Sequence, residues 1–273
     1  MPDSRYSDLD RPPLSAAALN RALVRPGSLW TGVTVVQSTG STNADLARAA
    51  REGAPEGTVL VAESQEAGRG RLGRTWSAPP RSGLTFSILL RPSVPVAAQG
   101  WLSLLYGVAA ASAVRRLAEV DVRLKWPNDL LVGERKIAGI LAERADDAVV
   151  IGMGLNVSLT PAELPVPTAT SLAVEQAACL DRDPLLRAVL REVETHYREW
   201  AAAGGDADAC GLRAAYLASS ATVGRPVRVE LPGDQALTGL ATGIDPGGHL
   251  QVESGGERYT LSAGDVVHVR PAA

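Results

Sequence analysis

The sequence predicts an α+β fold in which a mixed sheet is flanked by helices and followed by a small C-terminal β-domain. Helix-like and strand-like segments are interspersed up to about residue 220. The strand-like segments between residues 122 and 156 are joined by turns too short for helical crossovers, which predicts an antiparallel meander. Beyond Ser220 the chain changes to short strand-like segments separated by Gly, Pro and Asp turns.

These observations divide the 273 residues into an N-terminal extension (1–29), a main domain (30–220) and a C-terminal β-domain (221–273). The extension has one short helical pattern, LSAAALNRAL. A helix-turn-helix needs two packed helices, so we predict no DNA-reading module there. The C-terminal segments PVRVEL, ALTGLATGI, HLQVES, ERYTLSA and DVVHVR predict a β-barrel or sandwich of about 50 residues.

The main domain opens with the strand-like TGVTVVQ and a loop that enters a helix at STNADLARAAREG. Thr42 and Asp45 in this segment have the spacing of a capping box. The strands GTVLVAE and GLTFSILLRP and the apolar helix QGWLSLLYGVAAASAVRRLAEV follow, and then the meander VRLKW, DLLVGERKIAGILAE and AVVIGMGLNVS. Asp183 and Pro184 begin a long amphipathic helix, and a second short helix is expected at about residues 206–218.

Composition and charge limit the classes of partner. A net charge of −3 and a pI near 5.7 give no overall basic field of the kind typical of nucleic-acid binders. The two cysteines have no metal-ligand spacing, and we predict that they are reduced. No segment approaches the roughly 20 consecutive apolar residues of a membrane span. We therefore predict a cytoplasmic protein whose partners include neither DNA nor a membrane.

A glycine-arginine loop follows the second strand of the main domain, in AESQEAGRGRLGRTWSAPPRSG (residues 62–83). Gly68, Gly70 and Gly73 match the dinucleotide-binding spacing, but two prolines follow and no acidic residue occurs before Glu119, which argues against a Rossmann site. Glycines let backbone N–H groups approach an anion, and arginines donate two parallel hydrogen bonds to it. The loop arginines are Arg69, Arg71 and Arg74. We predict a loop that closes over a small anionic ligand; a solvated basic hairpin is the alternative.

The chain contains two lysines, Lys125 and Lys136, among 27 basic residues. Pro127 restricts the preceding residue to an extended conformation, which places Lys125 at the end of a strand. A lysine ammonium is compact and can lie between two anions. An arginine guanidinium is larger, and its donors are fixed in a planar fork. The compact ammonium suits the attack of a carboxylate on a phosphate, in which charge develops on the phosphoryl oxygens. The alternative is that compositional bias left two lysines by accident.

Glycines also interrupt the last strand of the meander, IGMGLNVS. Gly152 and Gly154 predict either a β-bulge or a close approach of a ligand to the backbone, next to Asn156.

Taken together, STN at 41–43, QEAGRGRLGRTW at 65–76, KWPNDLLVGERKIAGILAE and IGMGLNVS resemble the motifs of the bacterial biotin protein ligases, in the same order and with similar spacing. The resemblance covers about residues 30–270 and implies a class II synthetase-like catalytic domain followed by an SH3-like β-barrel. It implies an enzyme that forms biotinyl-5′-AMP from biotin and ATP with Mg²⁺, and then biotinylates a lysine of a carrier domain of an acyl-CoA or pyruvate carboxylase. Some members also carry a DNA-binding domain and repress transcription; this sequence is expected to act as a ligase without that activity.

The resemblance also implies residue roles. Biotin and its neighbouring loop would be held by Ser41, Thr42, Asn43 and Gln65. The biotin carboxylate and the α-phosphate would be covered by Arg69, Gly70 and Arg71. Lys125 would lie at the reacting centre and also contact biotin. ATP would be bound by Arg71, Trp76, Lys136 and Asn156, with Trp76 beside the adenine. No resident metal-ligand set is predicted. Competing hypotheses are a lipoate ligase or octanoyltransferase, a biotin-responsive DNA-binding regulator and a non-enzymatic anion-binding protein.

Overall fold

The computed structural model describes residues 11–231, 235–262 and 264–269 and confirms the α+β class. The first sheet contains β1 (Gly32–Val36), β2 (Thr58–Ala62), β3 (Gly83–Leu90), β4 (Val122–Lys125), β5 (Asp129–Val132), β6 (Arg135–Ala145) and β7 (Ala148–Asn156). The second sheet contains β8 (Pro226–Leu231), β9 (Gln235–Ile244), β10 (Leu250–Ser254), β11 (Glu257–Leu261) and β12 (Asp265–His268). The helices in the described residues are α1 (Ala16–Leu23), α2 (Thr42–Arg51), α3 (Trp101–Ala118), α4 (Arg182–Ala202) and α5 (Leu212–Ser219).

The first sheet is mixed, with the strand order β1-β2-β3-β7-β6-β5-β4. Strands β1 and β2 are parallel and are connected through α2, whereas the other neighbours are antiparallel. The predicted meander is confirmed as the consecutive strands β4 to β7. This topology places β3 and β7 in the centre of the sheet, with β6 beside them.

Alternate side chains of β3 point to opposite faces of the first sheet, one of which is apolar and the other partly polar. Phe86 and Ile88 belong to the main core, which also contains residues of α3 and α4. On the opposite face Leu89 packs against Leu46 of α2 in a smaller apolar cluster, and Ser87 precedes it on that face. The second face therefore changes from apolar to polar along the strand, at the N-terminus of α2.

Helix α3 is the central helix of the core. By length and composition alone, this helix and the 3₁₀ turn before it (Val96–Ala118) could cross a membrane. However, 61% of its most apolar stretch is buried inside the fold. Trp101, Tyr106 and Val114 are fully buried. Its hydropathy is thus accounted for by packing against the sheet and α4.

The start of α2 differs from the predicted capping box. Ser41 is the N-cap, and its hydroxyl accepts from the Ala44 N–H at 3.5 Å. Thr42 is the first helical residue, and its backbone N–H and hydroxyl are 2.8 and 3.0 Å from Gln65 Oε1. The cap falls one residue early because the Thr42 hydroxyl is engaged by Gln65 instead of by its own helix.

Two tryptophans of the main domain hold the turn between β9 and β10 of the second sheet. The indole of Trp101 donates to the Pro246 carbonyl at 2.7 Å, and that of Trp126 donates to the Gly248 carbonyl at 3.1 Å. The five predicted C-terminal strands are confirmed, while the domain boundary near residue 220 stays a prediction. Helix α5 begins at Leu212 and not near residue 206, because the preceding Gly211 has a left-handed φ of 74° that interrupts helical geometry. Both cysteines are free.

A buried ion pair ties the N-terminal segment to the main domain. Arg182 and Glu63 have side chains that are 6% and 2% exposed, with Nη1 and Oε2 2.5 Å apart. Arg182 also donates to the carbonyls of Pro12 and Gly83, and Glu63 accepts from the Leu14 N–H. The pair therefore holds both ends of the glycine-arginine loop and the chain before α1.

We expect Arg182→Leu to lower the free energy of unfolding by about 3–5 kcal/mol, because it leaves the Glu63 carboxylate buried without a partner. Urea denaturation measures this change. Arg116→Leu is the matched control: Arg116 is 57% exposed in its pair with Glu192, so its loss should cost less than about 1 kcal/mol. Equal effects of the two substitutions would contradict the assignment.

Candidate active site

A cavity opens on the polar face of the first sheet, between the N-terminus of α2, the glycine-arginine loop and the second sheet. It has about 820 Å³ of unfilled space, including the part continuous with solvent. Its lining includes Ser41, Thr42, Asn43, Gln65, Arg69, Gly70, Arg71, Arg74, Trp76, Asn128, Asp129, Lys136, Gly139, Gly152, Gly154 and Asp265. The structure therefore brings together all the predicted biotin-side residues except Lys125.

One end of the cavity is neutral and hydrogen-bonding. The Thr42 hydroxyl lies 3.0 Å from Gln65 Oε1 and 2.7 Å from Ser87 Oγ. Gln65 Oε1 also accepts from the Thr42 backbone N–H, which leaves the Gln65 amide nitrogen available as a donor. This end therefore presents a hydroxyl and a carboxamide, and it contains no charged group in contact with them among the described residues.

Asn43 is buried behind that neutral end. Its Nδ2 donates to the Leu141 carbonyl at 3.1 Å and to Glu143 Oε2 at 2.7 Å, and its Oδ1 lies 2.6 Å from Ser87 Oγ. Both amide protons are used, so Asn43 supports its neighbours rather than offering a donor to a ligand.

Glycines form the floor of the cavity where Trp76 lies. Gly139 of β6 and Gly154 of β7 are directly paired across the two strands. A Cβ at Gly154 would lie 2.2 Å from Trp76 Cε2, and one at Gly139 would lie 3.3 Å from the same ring. The predicted bulge is not observed, since β7 pairs with β3 and β6 without a shift of register. The group that approaches the backbone at Gly154 is the indole of Trp76, and the predicted approach of a ligand stays a prediction.

The glycine-arginine loop covers the cavity and contacts the second sheet. Arg71 is half-buried; its Nη1 lies 3.4 Å from both Asn128 Oδ1 and the Gly264 carbonyl, and burial lowers the pKa of its guanidinium. Arg74 pairs with Asp265, and this hydrogen bond raises the pKa of Arg74. Arg69 is exposed. Two residues of the C-terminal β-domain, Gly264 and Asp265, thus complete the wall of the cavity.

Lys136 is the lysine that lines this cavity. Its Nζ lies 2.6 Å from Asp129 Oδ1 and 5.7 Å from the centre of the Trp76 ring. A Cβ at Gly139 would lie 3.1 Å from the same Nζ, so the ammonium passes close over the glycine floor. The group is held between a carboxylate and an aromatic face, both of which stabilise a cation.

Lys125 lies elsewhere. It belongs to β4 at the edge of the sheet and lines a neighbouring cleft together with Glu134, Asn156 and His268. The pKa of His268 is lowered by burial first, and the charges of Arg225 and Lys125 add to this effect. The structure therefore places Lys136, and not Lys125, in the cavity beneath the arginine loop, while Lys125 lines the neighbouring cleft beside the C-terminal β-domain.

The neighbouring cleft opens on the other side of Trp76 and contains the remaining predicted nucleotide-side residue. Asn156 is 4% exposed, and its amide donates to the Thr170 carbonyl at 2.9 Å. Lys136, Asp129 and Trp76 line both spaces, so they form the partition between the cavity and the cleft.

Some cavity residues were not predicted from the sequence. Asn128, Asp129 and Gly139 lie inside the lysine segment, and its concentration of unusual residues was the available signal. Nothing in the sequence pointed to Asp265, because it belongs to the C-terminal β-domain, more than a hundred residues along the chain from the cavity residues of the main domain.

Comparison with known proteins decides the family. Residues 34–156 match the biotin/lipoate A/B protein ligase family, and residues 222–269 match the biotin protein ligase C-terminal domain. A biotin–[acetyl-CoA-carboxylase] ligase from Mycobacterium tuberculosis is 46% identical over 265 residues, covering 95% of this chain and 97% of that protein. The chain belongs to the biotin protein ligase family.

Solved structures of the family agree with this fold. The biotin protein ligase from Aquifex aeolicus in complex with biotin and ATP has a TM-score of 0.74 and 26% identity, over 88% of this chain and 100% of that one. The Leishmania major biotin protein ligase in complex with biotinyl-5-AMP has a TM-score of 0.58 and 25% identity, over 85% and 99%. This chain also matches the biotin protein ligase C-terminal domain, which separates it from ligases that match only the broader biotin/lipoate family.

Proposed function

We propose that this biotin protein ligase activates biotin with ATP as biotinyl-5′-AMP and transfers the biotinyl group to a lysine of a carboxylase carrier domain. One observation carries the proposal: a neutral hydrogen-bonding end, two loop arginines and a lysine surround a single cavity. That arrangement fits an uncharged ring at one end and two reacting anions at the other. The relatives solved in complex with biotin, ATP and biotinyl-5-AMP support it.

The neutral end suits the ureido ring of biotin. The ring presents N–H donors and a carbonyl acceptor, and Thr42 and Gln65 present a hydroxyl and an amide donor. Ser41 caps α2 and keeps Thr42 in place, and Asn43 supports it from behind. Neutral partners recognise such a ring without the desolvation cost of a buried charge.

The charged end suits the first chemical step. A carboxylate oxygen of biotin attacks the α-phosphorus of ATP, the bond to the bridging β-phosphate oxygen breaks, and pyrophosphate leaves. Arg69 and Arg71 with the backbone of Gly70 would hold the two anions together, and Lys136 would stabilise the charge that develops on the phosphoryl oxygens. We therefore assign to Lys136 the role at the reacting centre that the sequence had suggested for Lys125.

The cleft beyond Trp76 would take the rest of the nucleotide. Trp76 offers an aromatic face, and Lys125 and Asn156 line the space behind it. Mg²⁺ would enter as part of MgATP, since Mg²⁺ is commonly held by one or two carboxylates together with substrate phosphates. Asp129 borders both spaces and fits that role, whereas the described residues contain no group of three or more metal-ligating side chains.

In the second step the ε-amine of the acceptor lysine attacks the acyl carbon of biotinyl-5′-AMP, and AMP leaves. The name of the M. tuberculosis relative supports the carrier domain of an acyl-CoA carboxylase as the acceptor. Closure of the loop over the cavity would protect the acyl-adenylate from hydrolysis. A cytoplasmic location stays a prediction.

The test is pyrophosphate release from MgATP with biotin or with lipoate as the acid. We expect release with biotin alone, and biotinylation of a carrier domain when one is added. Release driven by lipoate alone would favour the lipoate-ligase alternative, and release with neither acid would contradict adenylation altogether.

A further inference from the structure

A row of polar side chains leads from the neutral, hydrogen-bonding end of the cavity to Glu143 of β6. Thr42 Oγ1 lies 2.7 Å from Ser87 Oγ, Ser87 Oγ lies 2.6 Å from Asn43 Oδ1, and Asn43 Nδ2 lies 2.7 Å from Glu143 Oε2. Thr42, Asn43 and Ser87 are buried, whereas Glu143 is half-buried and lines the groove outside the cavity.

The orientation of the Asn43 amide is determined by its partners. The Leu141 carbonyl and the Glu143 carboxylate are both acceptors, so the NH₂ group must face them and Oδ1 must face Ser87. Gly152 leaves the space for this arrangement, since a Cβ there would lie 2.1 Å from Asn43 Oδ1.

This orientation sets the direction of the hydroxyl protons. Asn43 Oδ1 can only accept, so the single proton of Ser87 points to it across 2.6 Å. Ser87 Oγ then has no proton left for Thr42 Oγ1, 2.7 Å away, so the Thr42 hydroxyl is itself a donor, with Ser87 Oγ and Gln65 Oε1, 3.0 Å away, both within reach as acceptors. Ser87 and Asn43 therefore donate in one direction, toward the Glu143 carboxylate, and such chains strengthen each of their hydrogen bonds. Whichever acceptor Thr42 uses, its oxygen receives no proton from Ser87 and can accept one from a ligand.

We propose that Glu143 is a positioning residue that keeps the Thr42 hydroxyl oxygen as an acceptor for a ureido N–H of the substrate. Glu143 does not line the cavity itself; it acts through Asn43 and Ser87. The inference rests on the proposed function, and it makes Glu143 a determinant of recognition of the substrate's ring rather than of ATP.

The first test compares two substitutions of Glu143. Glu143→Leu removes the charged acceptor of the Asn43 amide and leaves it only the longer bond to the Leu141 carbonyl, so the KM for biotin should rise about tenfold while the KM for ATP stays unchanged. Glu143→Gln keeps an acceptor oxygen, and its KM for biotin should stay within about threefold of the wild type. Glu253→Leu is the matched control: it makes the same change at an exposed strand position of the second sheet and should alter neither KM.

The second test is a rescue. Asn43→Asp places a carboxylate against Glu143 and should raise the KM for biotin at least about thirtyfold, because the donors to Leu141 and Glu143 are lost. Adding Glu143→Gln to this variant removes the repulsion between two carboxylates and supplies an amide donor from β6. The substituted position 43 keeps an acceptor oxygen toward Ser87, so the double variant should lower the KM for biotin again by about fivefold or more.

The outcomes separate this inference from the proposed function. Biotin-dependent pyrophosphate release by the wild type tests the function independently. If the wild type is active but Glu143→Leu changes both KM values equally, or the double variant is no better than Asn43→Asp, the positioning role is wrong. If Glu143→Leu does not fold, the rescue experiment decides the question on its own.

Discussion

Replacing Lys136 with arginine is expected to lower the rate of biotin-dependent pyrophosphate release by about 10²- to 10³-fold. The Lys136 ammonium occupies a narrow space between Asp129 and the Trp76 ring, directly over Gly139. A guanidinium is larger and planar, so it would displace Trp76 or withdraw from the position where charge develops. The measurement is initial-rate pyrophosphate release at saturating biotin and MgATP.

Lys125→Arg is the matched control for this prediction, because it makes the same chemical change in the other lysine of the segment. Lys125 lies at the sheet edge beside the C-terminal β-domain, so its substitution should change the rate by less than about tenfold. Calorimetric binding of biotin to both variants would separate a defect in chemistry from one in binding. A larger effect at Lys125 than at Lys136 would restore the assignment suggested by the sequence.

Gly154→Ala is expected to lower kcat/KM for ATP by about 10²-fold with little loss of stability. The new Cβ would lie 2.2 Å from Trp76 Cε2 and 2.4 Å from its Nε1, so the ring must leave the floor of the cavity. The side chain of Trp76 is only half-buried, and it can move without disturbing the backbone of β7. Steady-state kinetics with ATP as the varied substrate, together with thermal unfolding, measure both parts of the prediction.

The control for Gly154 is Gly243→Ala in β9. That glycine is also in a strand, but its added Cβ would meet only the end of the flexible Gln251 side chain at 3.3 Å. We expect no change in kcat/KM from it. If Gly154→Ala also leaves kcat/KM for ATP unchanged, Trp76 does not contribute to nucleotide binding.

The buried ion pair and the active cavity are connected through the chain. Glu63 accepts a hydrogen bond from the Leu14 N–H and pairs with Arg182. It lies two residues before Gln65, which forms part of the neutral end of the cavity. Partial loss of activity in Arg182→Leu would therefore be expected along with the loss of stability, because the base of the glycine-arginine loop would no longer be anchored.

Several features of the protein follow from local sequence. The antiparallel meander follows from short turns, the loop chemistry from arginines alternating with glycines, and the C-terminal sheet from five short strand patterns. Local patterns suffice for these three features because neighbours in the sequence determine them. The grouping of STN and Gln65 at one cavity, by contrast, was implied by the resemblance of their motifs to the family.

The position of each lysine was decided by tertiary structure. Lys136 and Gly139 are three residues apart, and in a regular strand they would face opposite sides of the sheet. The pairing between β5 and β6 shifts by one residue, so that Leu130 pairs with Ala138 but Leu131 pairs with Lys136. This bulge turns both Lys136 and Gly139 toward the cavity.

The remaining walls of the cavity depend on contacts between distant segments. Asp265 reaches Arg74 from the C-terminal β-domain, and Glu143 reaches Asn43 from a strand 100 residues away. The sequence by itself determined the family, the order of elements and the chemistry of the loop. The bulge, the packing of the second sheet and the polar row to Glu143 arise only when the chain is folded, because each depends on pairing between segments that carry no local signal of one another.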